Sequence, residues 1–438
     1  MKFKLFLIPF LIILLFFACD EKNSVDVSSP ASSSLKLLFQ DGYNQLQGWV
    51  ILYESDAQTI KEFKSFTGDA VVEFEDIQEE TVNFTFITSR FDDEMNYRLT
   101  TNIGVPGGEW TFHGNNYSDK GKVTVAMTYP ENEYQHCFLG TSSPSRRAWI
   151  YGSSSAFEFE NLDVNYLNTD GTFSLYGTIY NSENNTGYCG WLLNQPFELG
   201  VTNNYSLNMT SPLNFQTMNL NELVSYLDVV AYTDNDYEDD VDIFYNSFPP
   251  TNEPIVLAPN NFPAKVFETE VLYFGDQYIK IFTTISESIP NSMSIPNFSL
   301  TASYDDVNAR YYNISYTGEA DEISASWEYD DDEQNTDFYW RVYASGNANS
   351  ISLPSLPSDI ANQIPGFDQN KFEEDGISMI DFDSCEDIAD VIQMIYKNET
   401  GYRKNHTERY DYVYYPDSFG NLSKNARIEK YVNRYNEF

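Results

Sequence analysis

Carboxylates are the commonest chemistry-bearing groups in this sequence, with 66 Asp and Glu against 25 Lys and Arg and only 3 His. Two clusters have a spacing suited to a hard cation. Asp234, Asp236 and Glu238 run on into Asp240 and Asp242 as an alternating acidic stretch, and Asp330, Asp331 and Asp332 stand side by side. Calcium is held by oxygen ligands, so either cluster is a candidate calcium site. Counted from Asp234, however, the sixth position is Asp239, where an EF-hand loop needs glycine. A solvated acidic loop is the competing expectation. Glycoside hydrolysis needs two carboxylates at a fixed separation, and 66 acids single out no pair. Aromatic side chains, apolar in body and polar at the edge, can stack on sugar rings. Tyr339 and Tyr343 fall on the strand face opposite Trp340, and so form a candidate ligand platform or else cover a second packed sheet. The sequence contains no G-x-S-x-G, H-E-x-x-H or P-loop motif, and His113, His136 and His406 show no ligand spacing.

The first twenty residues carry a different chemistry. Lys2 and Lys4 precede an apolar run from Leu5 to Phe17, which is too short for a transmembrane helix of about 20 residues. A charged start and a short apolar run form the pattern of an export signal. Its end, Phe16-Phe17-Ala18-Cys19, resembles the lipobox of bacterial lipoproteins, with a small residue directly before the cysteine. Phe16 and Phe17 depart from the pattern's preferred residues. The resemblance implies cleavage after Ala18, diacylglycerol on Cys19 and acylation of the new amino terminus. More than one acyl chain gives stable anchoring. Asp20 and Glu21 then resemble the export signals of Bacteroidota surface lipoproteins, which implies an outer-membrane protein facing the cell surface. They also resemble the inner-membrane retention signal of enterobacteria, which would imply the other membrane. The Ser-rich stretch up to Ser34 reads as a flexible tether.

With Cys19 acylated, Cys137, Cys189 and Cys385 remain in an oxidising compartment. Cys137 and Cys189 fall in one expected domain and are expected to pair. Cys385 is left free, at the start of an expected helix where a dipole can lower a thiol pKa. The formal charge of −41 argues against nucleic acid, whose phosphates call for basic patches. It also disfavours adsorption to an anionic leaflet, so the lipid must do the anchoring.

The elements that must position these groups are strands. Val82, Phe84 and Phe86 alternate with Thr81, Asn83 and Thr85, the period of a half-buried strand. Residues 266–274 and 277–285 flank Gly275-Asp276 as a hairpin. Ile323, Ala325, Trp327 and Tyr329 share a face, as do Phe338, Trp340, Val342 and Ala344, with the acidic loop 330–333 between them. Asn219 and Glu222 suggest a short helix over 220–227. Ser384 and Asp387 suggest a capping box for a helix at about 385–397. The expected fold is therefore all-β, with two to three β-sandwich-like domains in tandem and one short helix. The expected division is a signal at 1–18, a lipidated tether at 19–34, an immunoglobulin-like sandwich at 35–120, and β-rich domains at 121–260 and 261–438. The strand order in the first domain is similar to the carboxypeptidase-regulatory type of sandwich, which implies a spacer or binding module. The function expected is non-catalytic capture of an extracellular glycan or protein. The alternative is a secreted-type hydrolase whose site is assembled from dispersed carboxylates.

Overall fold

The computed structural model describes residues 33–415, apart from 41, 45, 78, 92–94, 114–119, 129–133, 142–146, 155, 165–166, 169, 182, 184, 235–239, 305–310, 332 and 397–406. The first strands are β1 (Ser33–Gln40), β2 (Gln47–Tyr53), β3 (Ile60–Thr67), β4 (Ala70–Ile77), β5 (Thr81–Phe91), β6 (Met95–Pro106) and β7 (Gly108–His113). The middle of the chain gives β8 (Gly121–Thr128), β9 (Tyr134–Thr141), β10 (Arg147–Ser154), β11 (Ala156–Val164), β12 (Thr172–Asn181), β13 (Thr186–Pro196), β14 (Thr202–Asn208) and β15 (Ser211–Thr217). Next come β16 (Asn219–Leu220), β17 (Val224–Tyr232), β18 (Asp240–Thr251), β19 (Ile255–Pro259), β20 (Val266–Phe274), β21 (Tyr278–Ser286) and β22 (Ser292–Met293). Then follow β23 (Ser299–Tyr304), β24 (Tyr311–Thr317), β25 (Glu322–Asp331), β26 (Thr336–Ser345) and β27 (Ser350–Ser352). The last elements are helix α1 (Ser358–Ala361), β28 (Glu373–Phe382), helix α2 (Ile388–Tyr396) and β29 (Glu408–Tyr414). The expected all-β architecture is what the chain adopts.

A 12-stranded sheet organises the molecule, in the order β18-β17-β20-β21-β29-β28-β25-β26-β6-β5-β2-β3. It crosses both of the divisions expected at 120 and 260. β6 pairs in parallel with β26, Trp340 lying beside Leu99, so strands from either end of the chain share one set of hydrogen bonds. β17 and β18, assigned by sequence to the middle block, also belong to this sheet.

Both faces of the sheet are covered around β5. Val82, Phe84 and Phe86 pack against Leu37 and Phe39 of β1 and Trp110 and Phe112 of β7. On the other face Asn83 and Thr85 are buried too, whereas Thr81 at the start of the strand is exposed. The hydroxyls of Thr85 and Thr101 lie 2.6 Å apart, and Trp340 Nε1 donates to Thr101 Oγ1 at 2.9 Å. Buried polar groups are tolerated when paired in this way. In the middle block, β11-β8-β14 stacks on the sheet β10-β9-β12-β13-β15-β19 through Val125, Met127, Phe159, Leu175 and Ile179. The outer face of that second sheet meets β18, and Gly140 allows the approach. A Cβ there would come 2.0 Å from the carbonyl oxygen of Asp242.

Several local readings hold in register. Trp327 pairs with Trp340 and Tyr329 with Phe338 across the β25–β26 hairpin. Others shift. Residues 220–227 are not helical: Leu220 ends β16 and Val224 begins β17, whose residues are buried on both faces. Gly275 N donates to Tyr278 O at 2.8 Å, which moves the β20–β21 turn to Asp276-Gln277. Helix α2 begins after Asp387 rather than after Ser384. Asp387 Oδ1 accepts from Ala389 N at 2.8 Å and Asp390 N at 3.2 Å, satisfying orphan donors of the first turn.

Candidate functional site

Strand register decides which of the expected groups meet. Cys137 of β9 lies opposite Ile179 of β12, while Cys189 of β13 lies opposite Thr178. Neighbours along a strand point to opposite faces. The two thiols therefore face different cores, across two strand spacings or about 10 Å. A disulfide needs Cα atoms within about 7 Å, and both cysteines are free and buried. The expected pairing is incorrect because β12 runs between them. Burial pushes the Cys137 thiol up to about 12 and that of Cys189 to about 11. Cys385 is likewise raised to about 12, first by burial and then by Asp321, so the helix start leaves no activated thiol.

The tyrosine platform is also corrected. Tyr343 is only 7% exposed and packs among Phe84, Trp110 and Ile388. Tyr339 is half-buried, and its hydroxyl accepts from Arg341, which also donates to Tyr343. Tyr343 thus belongs to a packed layer, and only the half-buried Tyr339 keeps part of its surface in solvent. Of the acidic clusters, Asp234 precedes a segment in which Asp236 and Glu238 lie outside the described residues, as does Asp332. Among the described residues no group of three His, Cys, Asp or Glu is placed to hold a metal.

What the register does assemble is a charged stripe across one face of the large sheet. Asp228 of β17, Glu270 of β20, Thr283 of β21 and Arg409 of β29 stand in one cross-strand row. Asp411, Ile380 and Glu322 form the next row on the same face. Arg409 Nε reaches Asp411 Oδ2 at 2.9 Å, and Tyr232 donates to Glu268 at 2.6 Å. Burial drives Glu270 and Glu322 up to about 8 despite the guanidinium groups nearby. Each is thereby biased toward the neutral acid, which can donate a hydrogen bond. Four strand steps separate them, or about 19 Å along the sheet. Acid pairs in glycosidases stand about 5–9.5 Å apart, so this is not a hydrolytic pair.

Glu322 is 5% exposed, and its titration gives a testable sign. Its folded pKa lies above its unfolded value, so its contribution to stability is fully present below about pH 4.5 and is lost as pH rises through about 8. Glu322→Gln keeps the site neutral throughout. That variant is expected to match the parent near pH 4 and to exceed it at pH 8 by on the order of 2 kcal/mol. Urea unfolding at the two pH values checks this, and a variant weaker than the parent at pH 8 contradicts it.

On the opposite face, part-buried tyrosines collect at one end around the buried Tyr412. Tyr273 of β20 lies across from Lys280 of β21, and Lys280 from Tyr412 of β29, while Tyr278 pairs with Tyr414. Tyr278 stacks on Tyr412 with centroids 5.2 Å apart, and Lys280 Nζ is 3.1 Å from Glu222. Gly275 lets the Tyr278 ring lie over the turn, because a Cβ there would meet the ring at 2.5 Å. The group offers ring surface, three hydroxyls and an ion pair on a rigid support. Tyr410, Tyr412 and Tyr414 alternate along β29, a period that the sequence alone displays. Their meeting with Tyr273 and Tyr278, some 130 residues earlier, is not displayed there. No protein-family model matches the chain, and comparison with curated proteins gives no match either.

Proposed function

We propose that this is a lipid-anchored protein of a bacterial envelope, held through Cys19 in the outer membrane and facing outward, whose folded part captures an extracellular glycan or protein without turning it over. The observation that carries the reading is the Tyr273–Tyr278–Tyr414 end of the sheet with its Glu222–Lys280 pair. Aromatic faces with polar groups at their edges suit a sugar ring or a polar peptide segment. The wide spacing of the two raised glutamates disfavours the hydrolase alternative. No nucleic-acid partner is proposed, given the net charge of −41.

The test uses detergent-solubilised full-length protein on a glycan array, with Tyr273→Ala and Tyr414→Ala beside it. Aromatic contacts of this kind contribute about 0.5–1.5 kcal/mol each, so each variant is expected to bind about two- to tenfold more weakly. Unchanged binding in both folded variants removes this site, and turnover of any polysaccharide favours the hydrolase. Anchoring is a separate arm: Cys19→Ala is expected to lose all acyl label, and retained label overturns the lipobox reading.

A further inference from the structure

The 12-stranded sheet ends differently on its two sides. At one end β18 is closed off. It carries Pro249 and Pro250, which cannot donate to a further strand, and Gly140 of β9 packs directly on its Asp242 carbonyl. At the other end β3 pairs with β2 alone among the described strands. Its side chains reach solvent: Phe63 is 41% exposed, and the Glu62 and Lys64 side chains are 52% and 40% exposed. Such an edge presents a row of backbone groups to any strand that can lie beside it. Lysine on an edge ordinarily repels a neighbour. Here both lysines already have acidic partners, Lys61 in Glu79 at 2.9 Å and Lys64 in Glu62 at 3.3 Å.

We propose that β3 is the surface through which two copies of this chain join, edge to edge and antiparallel, about a two-fold axis at Phe63. The strand's own sequence selects this partner and this register. Glu62 and Lys64 stand one step either side of Phe63, on the face shared with Leu52 and Val50. An axis through Phe63 therefore sets Glu62 of each copy against Lys64 of the other, and lays the two Phe63 rings side by side. Opposite charges and aromatic pairs directly across an antiparallel ladder are both favourable. The rings would extend the cross-strand row that runs through Ile51 and Thr85, both wholly buried. Neighbouring registers lack this match. An axis at Lys64 sets that lysine against itself, and one at Ser65 sets Lys64 against Phe66. Nearer the start of the strand, Tyr53 lies opposite Ile60 and Leu52 opposite Glu62, so Lys61 is bulged and interrupts further pairing.

Disulfide trapping reads both the partner and the register. Phe63→Cys places two thiols directly across the axis, within the Cα separation of about 7 Å that a disulfide allows. In Thr67→Cys the two thiols would lie about 27 Å apart along the strands. Under copper-catalysed air oxidation of detergent-solubilised full-length protein, Phe63→Cys is expected to form a covalent dimer at least about tenfold faster than Thr67→Cys. The parent chain, with Cys137 and Cys189 buried, supplies the background rate of its own thiols. Adding Glu62→Lys sets like charges across the axis twice, and is expected to slow trapping of Phe63→Cys about tenfold. Adding Lys64→Glu as well is expected to restore the rate, because the two pairs are then only exchanged. Both positions are exposed, so the fold tolerates either change. Equal trapping rates for Phe63→Cys and Thr67→Cys overturn the proposal, as does a double charge reversal that stays as slow as the single one.

Discussion

Trp340→Ala is expected to destabilise the protein by about 3–5 kcal/mol, the range for deleting a buried tryptophan. Trp340 is wholly buried and stands where the two ends of the chain join. Trp327 lies across from it on β25, Leu99 on β6, and the Phe372 ring meets it edge-on at 5.6 Å. Its Nε1 donates to Thr101, which is in turn paired with Thr85. Trp340→Phe keeps most of the volume and removes only the N–H, so it is expected to cost about 0.5–1.5 kcal/mol beyond the small cavity. Urea unfolding of the two variants separates packing from hydrogen bonding. Because β6 and β26 share a ladder, amides of 47–106 and of 322–382 are expected to gain exchange together in Trp340→Ala. Independent opening of these two regions, or a loss below about 1 kcal/mol, would show that the junction does not bind them into one unit.

How much of this was readable in advance depends on sequence distance. The β25–β26 hairpin was legible to the register, because its apolar residues alternate on both arms and its loop is short. The strand at Val82–Phe86 was legible as well, but not the burial of Thr85, because a period of two reports which face a residue is on and not whether a second layer covers that face. For the same reason the sequence left Tyr339 and Tyr343 between two readings, a ligand platform or the cover of a packed layer, and Tyr343 lies against α2 and β7. The Cys137–Cys189 pairing failed because β12 is inserted between β9 and β13, a topological fact that spacing does not encode. The divisions expected at 120 and 260 are both crossed by the 12-stranded sheet. The parallel β6–β26 pair, which joins residues about 240 positions apart, leaves no local trace. The tyrosine end and the charged stripe were out of reach for that reason also, since both depend on β21 pairing with β29.

The second large effect is expected at Asp411, which is 1% exposed and grips Arg409 through Nε and Nη2. Asp411→Ala is expected to cost about 3–5 kcal/mol, because removing one partner leaves a buried guanidinium without that carboxylate. The paired replacement Arg409→Met/Asp411→Leu is expected to recover most of the loss, since a buried ion pair is held at little net gain over apolar side chains of similar volume. The stripe adds a pH dependence with a definite sign. Asp411 is among the charges that raise Glu270 and Glu322, while Arg409 acts on both in the opposite sense. Without Asp411 both glutamates ionise at lower pH and supply Arg409 with new negative neighbours. The single variant's deficit relative to its parent is therefore expected to be larger at pH 5 than at pH 8. Urea unfolding of parent, single and double variants at these two pH values measures all of this. A single variant as stable as the double at both values would mean that Arg409 is not held in place by Asp411, and that the stripe is a row of independently solvated charges.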